Sequence, residues 1–321
     1  MGSAMPNPAD RLPQHYSLAP APTRCDSPLP AFGGSSRDVF RQSYNRTNFL
    51  FEHDLCEERS FSMSTLRELA RRHPTSPAHA YWSNGEVDVA DGWNAENHRY
   101  CLADTVAGIE TNDSLAMLKH VEQDRVIGPR VREILQVIVE LIGPRMSDDV
   151  TAARGTLLIA SPRRTTAYHI DSDVNFLFQI SGDKLFSVFD QSVTGVEELE
   201  KYFRGDPSAA VFKPASQGSA ACYELRAGRG VHVPCMAAHW AQTLDAPSIA
   251  LSLNFDLRSV TALGRLYRLN GRMREHGVRP CTPGVSKWRD RWKTTLLDGL
   301  DATRHLTARL ESVLNSGRPA H

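Results

Sequence analysis

The sequence predicts a mainly β core, an antiparallel barrel or double-sheet jelly roll, set between helical N- and C-terminal extensions. Two observations carry this expectation. From about residue 155 to residue 257 the apolar period is two, in eight short segments: GTLLIAS, AYHID, VNFLFQI, KLFSVFD, ACYEL, GVHVP, HWAQTL and SIALSLNFDL. They are β-branched or aromatic and bounded by Gly, Asp, Ser or Pro, as strands of a closed or double-layered antiparallel fold are. On either side the period lengthens to that of helices.

Each segment follows in chain order. Residues 1–36 hold seven of the 19 prolines and an FGGSS run, the composition of an extended or disordered arm. Residues 37–150 form a mixed, mainly helical region. SMSTLRELARRHP has a Ser cap, apolar residues at helical spacing and a Pro stop, and DSLAMLKHVEQD and IGPRVREILQVIVELIGP extend the helical pattern. Residues 151–258 make up the β core, and 259–321 a basic helical region.

The chain of 321 residues is 41% hydrophobic and 23% charged with zero net charge, so no global field draws it to nucleic acid or membrane. From Arg258 onward there are 13 Lys/Arg against five Asp/Glu. No stacking platform or recognised motif accompanies that surplus, which argues against nucleic acid. Its apolar component, including Leu263, Leu266, Tyr267, Leu296, Leu297 and Leu300, suits a homodimer paired through the C-terminal helices. The run ILQVIVELIG is too short to span a bilayer. Six scattered cysteines without paired spacing fit free thiols in a reducing cytoplasm.

One stretch, TTAYHIDSDVNFLFQISGDK (165–184), buries ionisable groups in an apparent hairpin. Such groups need partners or a metal to offset desolvation. Residues i and i+2 share a strand face, so His169 and Asp171 can converge; Asp173 shares that parity and is a rival. Alone, His-x-Asp says little, since about one match is expected by chance in a chain this long. Asn175, Leu177 and Gln179 continue the face, and Lys184 opens the returning strand. Some 70 residues on, GRGVHVPCMAAHWAQTL supplies His239 after a Pro-containing loop, with His232 as a competitor. Two imidazoles and one carboxylate would form a facial triad with open positions, the donor set of non-haem Fe(II) oxygenases.

The stretch from Thr166 to Asn254 resembles the JmjC and cupin-like Fe(II)/2-oxoglutarate oxygenases, and within them the group containing the asparaginyl hydroxylase of hypoxia-inducible factor. The motif is a Thr three residues before the first His, H-x-D, an Asn, Q-I-x-G-x-K, a distal His after a Pro loop and an Asn fifteen residues later. It falls on Thr166, His169, Asp171, Asn175, Gln179 to Lys184, His239 and Asn254. Bacterial cupin-like proteins share the N-terminal MLKHVEQD more loosely.

The resemblance implies a double-stranded β-helix with iron on His169, Asp171 and His239. It implies 2-oxoglutarate held by Lys184 and Thr166, with Asn175 and Asn254 around it, and O2 as the second cosubstrate. Strict alternation would turn Thr165 rather than Thr166 inward, unless the strand bulges. Tyr168, Gln179, Trp240 and Arg163 are candidate substrate contacts, although parity sends Tyr168 and Trp240 to the opposite face. The implied activity is hydroxylation of an unactivated C–H bond in a peptide, protein or amino-acid side chain. A small-molecule or carrier-tethered tailoring oxygenase and a non-catalytic cupin-like binding module are the alternatives.

Overall fold

A computed structural model describes residues 36–93 and 98–298. The proline-rich arm, except Ser36, and the last 23 residues lie outside the described residues. Two compact units result. Residues up to 195 together with 207–258 form one, and 196–206 with the chain from 259 form the other.

The first unit begins with α1 (Ser36–Ser43) and β1 (Phe49–Glu52). α2 (Met63–Arg72) starts where the Ser62 hydroxyl accepts from the Thr65 amide, and it buries Leu66, Leu69 and Ala70. β2 (Ala80–Asn84), α3 (Leu102–Ala107) and β3 (Ser114–Lys119) follow. α4 (Gly128–Ile142) carries Pro129 in its first turn, buries Val131, Ile134, Leu135 and Ile138, and stops at Gly143 with φ +79°. A short α5 (Pro144–Ser147) leads into the β core.

That core consists of β4 (Val150–Ala160), β5 (Thr165–His169), β6 (Val174–Ser181), β7 (Lys184–Val188), β8 (Ala221–Leu225), β9 (Arg229–Val233), β10 (His239–Thr243) and β11 (Ser248–Leu257). All eight segments of period two are strands. They divide into a seven-stranded sheet, β1-β9-β6-β11-β4-β3-β2, and a four-stranded sheet, β5-β10-β7-β8. Every recorded pairing is antiparallel. The first unit is therefore a double-stranded β-helix whose larger sheet is widened by strands from the N-terminal region. Leu177, Val231 and Ala250 from the large sheet and Phe186, Val188 and Ala241 from the small one share a buried apolar cluster. The β6–β7 hairpin turns at Gly182, whose φ is +68° and where a Cβ would collide with the Pro247 carbonyl; only glycine fits.

Two expectations change. SLAMLK, read as helix, is β3. Leu, Ala, Met and Lys favour helices, but pairing with β2 on one side and β4 on the other outweighs that local preference. The stretch 151–258 is also not all β core, because α6 (Val196–Phe203) lies within it and belongs to the second unit.

In that second unit α6 packs on α7 (Arg258–Glu275). Phe203 stacks on Tyr267 at 5.7 Å, Gly264 leaves room for the Phe203 ring, and buried Glu200 accepts from Arg274 at 2.9 and 3.2 Å. A further helix covers 287–298. Among the described residues no helix is long and apolar enough to cross a membrane, and Cys56, Cys101, Cys222, Cys235 and Cys281 are free thiols.

Candidate metal centre and its cavity

His169 ends β5 and His239 opens β10, and the two are register partners across that strand pair. Asp171 lies two residues beyond β5. Its Oδ2 stands 3.7 Å from His169 Nε2 and 3.6 Å from His239 Nε2. One donor atom from each of the three residues falls within 4.8 Å of the others, and this is the only such group of three among the described residues. Each imidazole is fixed by its other nitrogen. His169 Nδ1 donates to the Ala167 carbonyl at 2.8 Å and His239 Nδ1 to the Ala237 carbonyl at 3.0 Å. Those bonds set the tautomer and leave both Nε2 lone pairs aimed at one point.

The electrostatics suit a cation. Burial pushes both imidazoles down to about 4; at His239 the neighbouring His169 adds to the effect and the Asp171 charge opposes it. Both rings are therefore neutral near pH 7, the form in which an imidazole can hold a metal. Asp171, part of whose side chain opens on the cavity, is shifted up by the same enclosure. A bound cation would favour its ionised form.

The rivals have other occupations. Asp173 Oδ1 accepts from Asn254 at 2.9 Å, and its Oδ2 faces Arg154 at 3.4 Å. Burial, then the Asp171 charge, raise it to about 7. His232 is a fully buried core residue. Its Nδ1 donates to the Asn175 carbonyl at 3.1 Å, its Nε2 accepts the Asn45 amide at 3.0 Å, and its ring lies among Phe49, Tyr44 and Phe176.

The triad opens on a cavity of about 600 Å³ between the two sheets. Lys184, buried at the start of β7, lines it, as do Thr166, Asn175 and Asn254. The parity conflict at Thr166 has a local cause. Between the pairs His239↔His169 and Ala241↔Thr166, β5 uses three residues where β10 uses two. This bulge brings Thr166 to the cavity, while Thr165 Oγ1 accepts from Gln242 at 3.4 Å. Burial alone lowers Lys184 to about 8. Asn175 Nδ2 donates to Ser252 Oγ at 2.6 Å, and Ser252 Oγ to Asn254 Oδ1 at 2.9 Å. Asn175 Oδ1 is buried without a protein partner.

None of the four candidate substrate contacts lines the cavity. Tyr168 packs against Phe189 and Phe212 on the far face of β5. Trp240 Nε1 donates to Gln217 Oε1 at 3.0 Å. Arg163, at φ +61°, pairs with Asp245 at 3.0 Å outside the barrel. Gln179 shares the parity of Leu177, but its Nε2 donates to the Ser181 and Gly182 carbonyls and Ser248 Oγ at 2.8, 2.8 and 3.0 Å, fastening the β6–β7 turn. The outer wall comes instead from the N-terminal region. Trp93 stacks on His169 at 4.2 Å and on Tyr81 at 5.8 Å; Tyr81, Trp82, Met117 and Lys119 complete that side. Only the alternation of AYWSN hints at these residues in sequence.

Fold and donor set together define a double-stranded β-helix with a 2-His-1-carboxylate triad, the architecture shared by cupin and JmjC-like oxygenases. No protein-family model and no curated protein matches the chain. Among solved structures the chain is similar to the Escherichia coli ribosomal oxygenase YcfD, with 14% identity, a TM-score of 0.45 and 82% of this chain aligned to 66% of that one. Another YcfD structure, in complex with cobalt and succinic acid, gives 15% identity and a TM-score of 0.44 over 82% of this chain and 66% of that one. Bacillus subtilis oxalate decarboxylase aligns over 32% of this chain and 21% of its own, at 20% identity and a TM-score of 0.23. The chain thus spans about two thirds of the length of YcfD.

Proposed function

We propose that the chain is an Fe(II)- and 2-oxoglutarate-dependent oxygenase that hydroxylates an unactivated C–H bond in a peptide, protein or amino-acid side chain. One observation carries the reading: the three donor atoms converge on a cavity that also holds a buried lysine with no ion-pair partner among the described residues. His169, His239 and Asp171 would hold the metal on one side only, leaving positions for cosubstrates. When bound, iron with 2-oxoglutarate and O2 supplies the oxidising power that no amino-acid side chain has.

The chain's own residues bind and orient. Lys184 Nζ, as an ammonium, offers a charge-assisted bond to the distal carboxylate of 2-oxoglutarate, and the Thr166 hydroxyl a second bond. The unpartnered Asn175 Oδ1 is an acceptor for a donor entering the cavity, and the Ser252–Asn254 chain fixes its amide. Leu177, Phe186 and Trp93 line the remainder with apolar surface, which excludes water and strengthens the polar contacts. The test is succinate release from 2-oxoglutarate in the presence of peptide extracts or free amino acids, with mass spectrometry of the products. Turnover that adds one oxygen atom to a peptide supports the proposal; no 2-oxoglutarate consumption with any metal-loaded sample contradicts it.

The second unit supports self-association. Val285, Trp288, Trp292 and Leu296 are exposed, and the last three recur every four residues on one helix.

A further inference from the structure

We propose that the substrate peptide carries an acidic side chain, and that a basic lobe beside the cavity receives it. The inference deepens, and rests on, the reading of the chain as a peptide-directed oxygenase.

A lobe of about 390 Å³ is lined by Arg72, His73, His79, Lys119, His120 and Arg125. Lys119 lines both this lobe and the main cavity, so the two adjoin. From Lys119 a row of side chains crosses the large sheet inside the main cavity. Lys119 pairs with Thr156 on β4, Thr156 with Ser252 on β11, and Ser252 with Leu177 on β6. All four line the main cavity. Three strand spacings put Leu177 about 14 Å from Lys119, so the row leads from the lobe across the floor of the cavity.

The one carboxylate lining the lobe is Asp124, and both its oxygens are engaged. Oδ2 accepts from Arg72 at 2.7 and 3.2 Å, and Oδ1 from the Val126 and Ile127 amides at 2.8 and 3.1 Å. The histidines are oriented by neighbours. His73 Nε2 donates to the His79 carbonyl at 2.9 Å, His79 Nδ1 bonds Ser76 Oγ at 2.8 Å, and His120 Nδ1 lies 3.3 Å from Glu122 Oε1. Arg125 is exposed at the rim. The surroundings favour a single anionic group over a polyanion. Residues 37–257 hold 22 Lys/Arg and 30 Asp/Glu, so the lobe is a local basic spot in an acidic stretch, which would repel nucleic acid or an anionic bilayer.

The experiment measures binding of a fluorophore-labelled alanine hexapeptide carrying one glutamate to the full chain by anisotropy, with its glutamine counterpart as the uncharged control, beside iron and 2-oxoglutarate uptake on the same anaerobic sample. Arg125→Glu should weaken the peptide by roughly tenfold. The double variant Lys287→Glu/Arg291→Glu, in the basic C-terminal region, should leave its affinity unchanged, and inorganic phosphate at equal ionic strength should not displace it. Three results overturn the proposal: affinity unmoved by Arg125→Glu, affinity lost with the C-terminal pair, or full displacement by phosphate. Iron and 2-oxoglutarate uptake without peptide binding removes the lobe alone. Peptide binding without that uptake removes the oxygenase reading and leaves an acidic-peptide site.

Discussion

His239 faces His169 across the β5–β10 pair with ring centroids 4.2 Å apart, and the Asp171 carboxylate lies within 3.7 Å of both Nε2 atoms. The predicted consequence is that either histidine is indispensable to a bound divalent ion, whereas the equally buried His232 is not. His169→Ala and His239→Ala should abolish metal uptake with little change in thermal stability. His232→Ala should keep the metal but lose about 3 kcal/mol, through a core cavity and two stranded backbone groups. Elemental analysis and denaturant unfolding of the three variants check this.

Lys184 gives a pH-dependent prediction. Burial lowers its pKa to about 8 from 10.5, so between those values the unfolded chain binds more protons. Stability from this group therefore rises with pH across that window, and the full burial penalty applies below pH 8. Lys184→Met should stabilise the ligand-free protein at pH 7 by an amount on the order of 3 kcal/mol, a gain that fades towards pH 10.5. The same variant should lose 2-oxoglutarate binding while keeping the metal. In the wild type, cosubstrate affinity should fall as pH rises past 8, because the free lysine is then neutral. Calorimetric titrations at several pH values read both effects; a flat profile would remove Lys184 from the role.

Gln179 and Gly182 predict effects on folding and not on ligands. Gly182→Ala meets both a positive φ and the Pro247 carbonyl and should cost roughly 2–4 kcal/mol. Gln179→Leu frees two turn carbonyls and the Ser248 hydroxyl, a smaller loss of about 1–3 kcal/mol. Neither folded variant should alter metal or 2-oxoglutarate affinity.

The exposed Trp288 and Trp292 predict a dimer whose mass by light scattering is insensitive to salt, because its contacts would be apolar. Trp288→Glu/Trp292→Glu should be monomeric. A monomeric wild type would end the idea.

The two strands that bring His169 and His239 together were legible because period two places i and i+2 on one face, and because turn residues bound every segment of the core. Thr166 could be assigned only by resemblance, since a bulge leaves no mark in a single sequence. The N-terminal strands were hidden for different reasons. SLAMLK consists of helix-favouring residues made extended by its neighbours, and Tyr81 and Trp93 reach the cavity from a segment whose pattern names no chemistry. Tyr168 and Trp240 were drawn in by adjacency to the histidines, although the pleat points them away. The helix at Val196–Phe203 follows amphipathic spacing inside a stretch otherwise read as strands, and its partners lie beyond residue 258.

The central claim is a three-residue iron site coupled to a lysine-anchored cosubstrate, and anaerobic equilibrium dialysis against Fe(II) and 2-oxoglutarate tests it most directly. One iron per chain is expected, with 2-oxoglutarate retained only when both iron and Lys184 are present. Iron retained equally by the Asp171→Ala chain, or no iron retained by the wild type, would contradict it.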